Sequence, residues 1–326
     1  MAERSSEFEL IARYFTPIAS RSAASLGLTD DAAIFSSTPG EDSVVTCDAL
    51  VADVHFRAED DPATIARKVL RVNLSDIAAM GARPMGVVLA AGYNRNLPEE
   101  WIIAFAKAFG EDCAHWHVDL FGGDTVSTPG PTFFSLTALG AIAQGRALRR
   151  DCARPGDVVA VSGTLGDSAL GLAVLQGRLD LKNAAHHDFL CDRYWLPQPR
   201  LALGMQAASL GTRLSAMDIS DGLAGDIRKM TKASGVGVIL HQSHIPLSDA
   251  AKAALELDPS HWQTILAGGD DYELLLCGSA TDIKRLGQDV TVIGTVTDRI
   301  NEVLMQDLNG KMAELTKGGF DHFSIR

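Results

Sequence analysis

The sequence predicts an α/β (α+β) protein of two domains, and three observations carry that expectation. Segments that read as strands and as helices alternate along the whole chain. Its 326 residues exceed what a single hydrophobic core usually organises. A polar stretch punctuated by Pro155 and Gly156, "GRALRRDCARPGD", interrupts the alternation and sets the junction, with domains expected over residues 1–147 and 148–326.

Taken in order, a strand is expected over 32–35, after the paired carboxylates Asp30 and Asp31. "SVVTCDALV" is rich in β-branched residues and reads as a second strand ending near Asp48. A helix follows, opened by Asp61 and Pro62 and stopped by Gly81 and Pro84. An apolar strand over 85–91, a helix opened by "PEEWIIAFAKAF" and the β run "TFFSLTALGAIA" complete the first half. The second half restarts with the strand "VVAVSG", a helix over 167–176 and another around "RLALGMQAAS". The strand "LSAMDIS", the helix "AGDIRKMTKAS" and the strands "VGVIL", "YELLLCG" and "VTVIGTV" follow.

Composition excludes several classes. A hydrophobic fraction of 46% and a charged fraction of 21% are those of a globular protein. The formal net charge of -12 argues against nucleic acid or an anionic membrane as partner, since both reward clustered Lys and Arg. If the ligand carries phosphate, cations must mediate. Five scattered cysteines with no C-x-x-C spacing fit a reduced, cytoplasmic protein. No secretory signal and no membrane-length apolar run is expected from the sequence.

The carboxylates need explaining, because an unpaired buried carboxylate costs several kcal/mol or takes up a proton. Asp30 and Asp31 fit a solvated turn, a basic partner or a metal. Asp76 falls on the inward stripe of Ile65, Val69, Val72 and Met80, where it meets an Arg, a helix N-terminus or a cation. Asp48 is expected at a strand end. Asp124 follows Gly122 and Gly123 in a motif that also fits a plain tight turn. Asp218 and Asp221 flank Ser220 where a strand passes into a helix, and Asp221 alone could cap that helix. Asp270 and Asp271 precede an apolar strand. Scattered Asp residues at element ends suit Mg²⁺, a hard cation that takes oxygen ligands and is completed by phosphates. Zinc fits poorly, since His115 with His117 and His186 with His187 lack a Cys/His quartet. There is no P-loop, no protein-kinase catalytic loop and no dinucleotide fingerprint.

The motifs "LTDDAAI", "TCDALVADVHF", "VNLSDIAAMGARP", "FGGDTV", "GRALRR", "ARPGD", "SGTLGDSALGL", "DISDGL", "GGDDYEL" and "GGFDHF" together resemble the thiamine-monophosphate kinase family, in order and over nearly the whole chain. That family sits in the superfamily of aminoimidazole ribonucleotide synthetase, selenophosphate synthetase and a hydrogenase-maturation protein. The resemblance implies an aminoimidazole-ribonucleotide-synthetase-like fold, with an N-terminal domain that binds ATP and Mg²⁺ and dimerises through its sheet. A C-terminal α/β domain would close the site. It implies transfer of the γ-phosphate of ATP to thiamine monophosphate, giving thiamine diphosphate and ADP.

Carried over by position, Asp31, Thr46, Cys47, Asp48, Asp76, Asp124, Asp218 and Asp221 correspond to the magnesium shell, with Asp48, Asp124 and Asp221 central to catalysis. Gly123, Asp124, Arg150 and Ser220 correspond to nucleotide contacts, and His55, Asp270 and Phe320 to substrate contacts. Three positions depart from the family pattern. Thr29 stands where Gly is usual, Cys47 where a hydroxylated residue is usual, and Asp270 where Glu is usual. A thiol is a poor ligand for a hard ion, so Cys47 is harmless only if residue 47 acts through its backbone. Two rival readings are another enzyme of the superfamily and a non-catalytic nucleotide- or cation-binding protein.

Overall fold

The computed structural model describes residues 10–22 and 38–315. The strand expected over 32–35, and with it Asp30, Asp31 and Phe320, lies outside the described residues. The chain divides into two compact units, residues 1–77 with 82–145, and residues 78–81 with 146–326.

In unit 1, one π-helical turn (Ile11–Phe15) and the short helix α1 (Thr16–Ala19) precede β1 (Glu41–Val51), α2 (Pro62–Ala79), β2 (Arg83–Asn94), α3 (Glu99–His115), β3 (Asp119–Thr128) and β4 (Phe133–Ala143). Asp61 starts α2 by accepting the Ala63 N–H at 2.7 Å, and Gly81 ends the turn after it at φ 72, a conformation costly for any residue with a Cβ. The sheet order is β1-β4-β2-β3. Its β1–β4 and β4–β2 pairs are antiparallel, and β2–β3 is parallel across the α3 connection. Phe105 of α3 stacks on Phe134 of β4 with ring centroids 4.5 Å apart, and Tyr93 meets both edge-on. Helix α2 is buried nearly all round, so even its Arg71 lies inside, held by two 2.8 Å bonds to Asp112 of α3.

Unit 2 contains β5 (Val158–Ser162), α4 (Asp167–Leu175), α5 (Ala184–Trp195), α6 (Leu201–Ser209), β6 (Leu214–Asp218), α7 (Leu223–Ser234), β7 (Gly237–His241), α8 (Asp249–Leu257), α9 (His261–Ala267), β8 (Leu274–Gly278), α10 (Ala280–Arg285), β9 (Val290–Thr297), β10 (Val303–Gln306) and β11 (Met312–Glu314). The strands form a mixed sheet in the order β11-β10-β7-β9-β5-β8-β6. One apolar cluster packs α7 on this sheet through Leu223, Ile227 and Met230, and a second gathers α4, α5, α8 and α9 around Leu170, Leu190, Ala251 and Ile265. The first cluster buries the α7 stripe against strand faces, whereas the second contains no strand residue and packs helix on helix.

Several expectations needed correction. Asp48 is not at a strand end, because β1 runs on to Val51. The Gly122–Gly123–Asp124 motif is not a turn but the middle of β3, where a register shift between Val87 and Val88 marks a bulge. The strand expected from Tyr272 begins at Leu274, since Asp270 and Tyr272 both take left-handed φ values, 71 and 52. Helices α5, α8 and α9 were not anticipated; α8 is opened by Ser248, whose side chain accepts the Ala251 N–H.

Candidate functional site

In unit 1 the period of β1 sorts its side chains by face. Thr46 and Asp48 share the face of buried Val44 and Leu50, toward α2, whereas Cys47 and Ala49 are exposed on the other. The Thr46 hydroxyl donates to Asp76 Oδ2 at 2.5 Å, and the Asp48 N–H donates to Asn73 Oδ1 at 3.0 Å. Asn73 is itself fixed, donating through Nδ2 to the Val69 carbonyl at 3.0 Å. The expected stripe position of Asp76 therefore has a physical account: it meets a hydroxyl of β1. The Cys47 thiol stands 3.4 Å from Ser135 Oγ on the opposite face, so residue 47 can serve the Asp48 side only through its backbone.

The register separates Asp124 from that group. Ala49, Ser135, Ala90 and Asp124 form one cross-strand row, which sets the Asp124 side chain on the outer face with Cys47. The two preceding glycines differ. A Cβ on Gly123 would stand 1.9 Å from the Leu89 carbonyl oxygen, while one on Gly122 would meet nothing within 4 Å. His55 lies in the turn after β1 and accepts the Val51 N–H on Nδ1 at 3.0 Å, which leaves Nε2 as the ring's N–H in the neutral form.

In unit 2, Asp218 ends β6 and is buried. Asp221 does not cap α7, whose N-cap is Gly222 at φ 94 with no side-chain cap bond. Its N–H instead donates to Asp226 Oδ2 at 2.9 Å, and its carboxylate pairs with Lys229, which also reaches Asp226 Oδ1 at 2.7 Å. Burial pushes the Asp226 carboxyl up against the opposing pull of Lys229. Burial alone would lower the Lys229 ammonium, but its bonds to Asp221 and Asp226 outweigh that and raise it. Arg150 is exposed, with its carbonyl held by the Ser234 hydroxyl at 2.9 Å. Asp270 accepts from the Tyr272 hydroxyl at 3.3 Å.

Sequence reasoning placed Asp271 among the cation-seeking carboxylates, and the structure places it elsewhere. It is buried and accepts the Gly166 N–H at 2.7 Å and the Ser168 N–H at 3.5 Å. Burial pushes its carboxyl well up. Glu273, fully buried, was missed: it binds Arg193 at 2.8 Å, Arg200 through Nε at 2.6 Å and the Ser162 hydroxyl at 2.5 Å. A Glu opening an apolar strand was the available signal. Among the described residues, no three of His, Cys, Asp and Glu stand together as a metal-binding group. Among the described residues no helix is long and apolar enough to cross a membrane.

Comparison with known proteins agrees with this two-unit layout. The AIR synthase related protein N-terminal domain matches residues 29–142, and the corresponding C-terminal domain matches 154–306. The thiamine-monophosphate kinase of Escherichia coli (strain K12) is 39% identical over 98% of both chains. The crystal structure of thiamine-monophosphate kinase from Stenotrophomonas maltophilia K279a superposes with a TM-score of 0.82 at 36% identity, covering 94% of this chain and 98% of that one. AaThiL complexed with AMPPCP and TMP superposes with a TM-score of 0.77 at 26% identity, covering 99% and 100%. Identity of 39% with near-complete coverage on both sides makes this chain a member of the thiamine-monophosphate kinase family.

Proposed function

We infer that this chain transfers the γ-phosphate of ATP to thiamine monophosphate, producing thiamine diphosphate and ADP. The observation that carries the reading is end-to-end similarity to thiamine-monophosphate kinases, one of whose relatives, AaThiL, is complexed with an ATP analogue and TMP. The local donor set supports it. Thr46, Asp48 and Asp76 offer only hard oxygen atoms on one face of unit 1, and Asp218 and Asp221 do so in unit 2, which is the chemistry Mg²⁺ selects. These residues, with Asp31 and the backbone of Cys47, would hold the metal. Bound there, Mg²⁺ would supply charge neutralisation of the phosphates and of the charge that develops during transfer.

The chain's own groups bind and orient. Thr46 fixes the Asp76 carboxylate through its hydroxyl, and Asn73 fixes the Asp48 backbone. Asp226 and Lys229 hold the Asp221 segment. Gly123, Asp124, Arg150 and Ser220 serve the nucleotide, and His55, Asp270 and Phe320 the thiamine phosphate. Shorter than the usual Glu by one methylene, Asp270 reaches its substrate through a water. No general base is needed, because the accepting phosphate oxygen is already an anion. We also infer a homodimer formed through the outer face of the unit 1 sheet, where Val45, Val88 and Val126 are 61%, 37% and 45% exposed. Asp124 stands on that face and would lie at the dimer seam.

Mass spectrometry of products formed from ATP, Mg²⁺ and thiamine monophosphate tests the activity. A dominant thiamine diphosphate peak is expected, abolished by Asp48→Asn and by Asp221→Asn in folded protein. ATP binding without ADP formation would overturn the reading in favour of a non-catalytic binding protein.

A further inference from the structure

Two stretches of unit 2 that are far apart in sequence are tied into one body. The Asp270 N–H donates to the Ser220 carbonyl, the Tyr272 N–H to the Ile219 carbonyl and the Ile219 N–H to the Glu273 carbonyl, each at 2.8 Å. The fit leaves no slack. A Cβ on Gly269 would stand 2.3 Å from the Ser220 oxygen, and one on Gly222 would stand 2.6 Å from the Gly268 oxygen. Within this strap Asp270 and Tyr272 hold left-handed φ values of 71 and 52. Residues with a side chain persist there only when the surroundings over-determine them.

The surroundings are Asp271 and Glu273. Asp271 points inward and takes the amides of Gly166 and Ser168 at the start of α4, whereas Glu273 takes two guanidinium groups and a hydroxyl. Alternation of this kind, with Asp270 and Tyr272 turned one way and two buried acids the other, nails the strap down at both sides of Tyr272. We propose that Asp271 and Glu273 are positioning residues that lock the Asp270–Tyr272 turn onto the Ile219–Asp221 segment, so that the substrate-side carboxylate and the nucleotide- and metal-side loop hold one relative geometry. The assignment of Asp270, Ser220 and Asp221 to those sides rests on the proposed function; the mechanical coupling does not.

Hydrogen–deuterium exchange on the full chain, alongside steady-state kinetics, tests it with Glu273→Gln and, as a second and milder variant, Asp271→Asn, which keeps an acceptor for the Gly166 N–H. Removing the Glu273 charge that Arg193 and Arg200 share should speed exchange by about tenfold or more, and the milder Asp271→Asn by less. The expected result is that the Ile219, Asp270 and Tyr272 amides accelerate together while the β7 and β9 amides do not, and that KM rises for both ATP and thiamine monophosphate. Acceleration confined to Asp270 and Tyr272, or joint acceleration with both KM values unchanged, would overturn the positioning role. Failure of the proposed function shows separately, as absence of thiamine diphosphate with the unmodified chain, and leaves the exchange comparison readable.

Discussion

Gly122 and Gly123 are neighbours in β3, yet alanine should have opposite effects at the two positions. At Gly123 the new Cβ would sit 1.9 Å from the Leu89 oxygen and 2.8 Å from its carbonyl carbon, where real Cβ atoms essentially never come under 3.0 Å. The obstruction is backbone of the paired strand, so no side chain can swing away, and β2 and β3 must separate by about 1 Å. Overpacking of that kind costs about 3 kcal/mol, the upper end of the usual range, and reduced chain entropy returns about 0.5–1 kcal/mol. Gly123→Ala should therefore destabilise by about 2 kcal/mol. With nothing within 4 Å, Gly122→Ala keeps only the entropic gain. Urea unfolding followed by Trp fluorescence reads the two midpoints, and the KM for Mg-ATP reads the displacement of Asp124. Gly123→Ala should lower the midpoint and raise KM, with Gly122→Ala at or slightly above the unmodified chain. Coincident midpoints for the two variants would refute the steric argument.

Cys47→Ser should leave the Mg²⁺ dependence of turnover within about twofold, because the thiol faces away from Thr46 and Asp48; a large gain in Mg²⁺ affinity would show a side-chain role. Asp112→Ala should cost about 3 kcal/mol in denaturant unfolding, since it removes two charge-assisted bonds to the Arg71 guanidinium, which is only 10% exposed. Asp167 has its carboxyl raised by burial above the ordinary 3.8, so the stability it contributes is full below that value and is lost as pH rises through the higher folded one. The Tm of Asp167→Asn minus that of the unmodified chain should thus rise as the pH is raised from about 4, because the amide does not titrate while the ionising Asp167 loses stability, and a flat difference would show that Asp167 does not titrate in that range.

How much of this was legible beforehand differs by element. Strands β1, β2, β4, β5 and β7 and helices α2, α3, α4, α6 and α7 announced themselves by hydrophobic period and by Pro, Asp and Gly punctuation. Helices α8 and α9 did not, because their short alanine- and tryptophan-bearing segments carry too few turns to establish a period. The β3 motif misled because two glycines look like a turn locally, whereas the Leu89 backbone beside Gly123 demands one of them in a strand.

By itself the sequence determined the two-domain α/β class, the resemblance that names the family, and the inventory of acidic residues, because periodicity, punctuation and motif order are properties of the chain alone. Only the tertiary structure decided how those acids divide. Strand register turned Thr46 and Asp48 toward Asp76 and set Cys47 and Asp124 on the other face. Burial against α4, Arg193 and Arg200 then made Asp271 and Glu273 interior braces while Asp270 stayed only half-buried in the strap's turn. A carboxylate has the same composition in either role; its partners and its access to water are set by segments remote in sequence, and those separate a ligand from a brace.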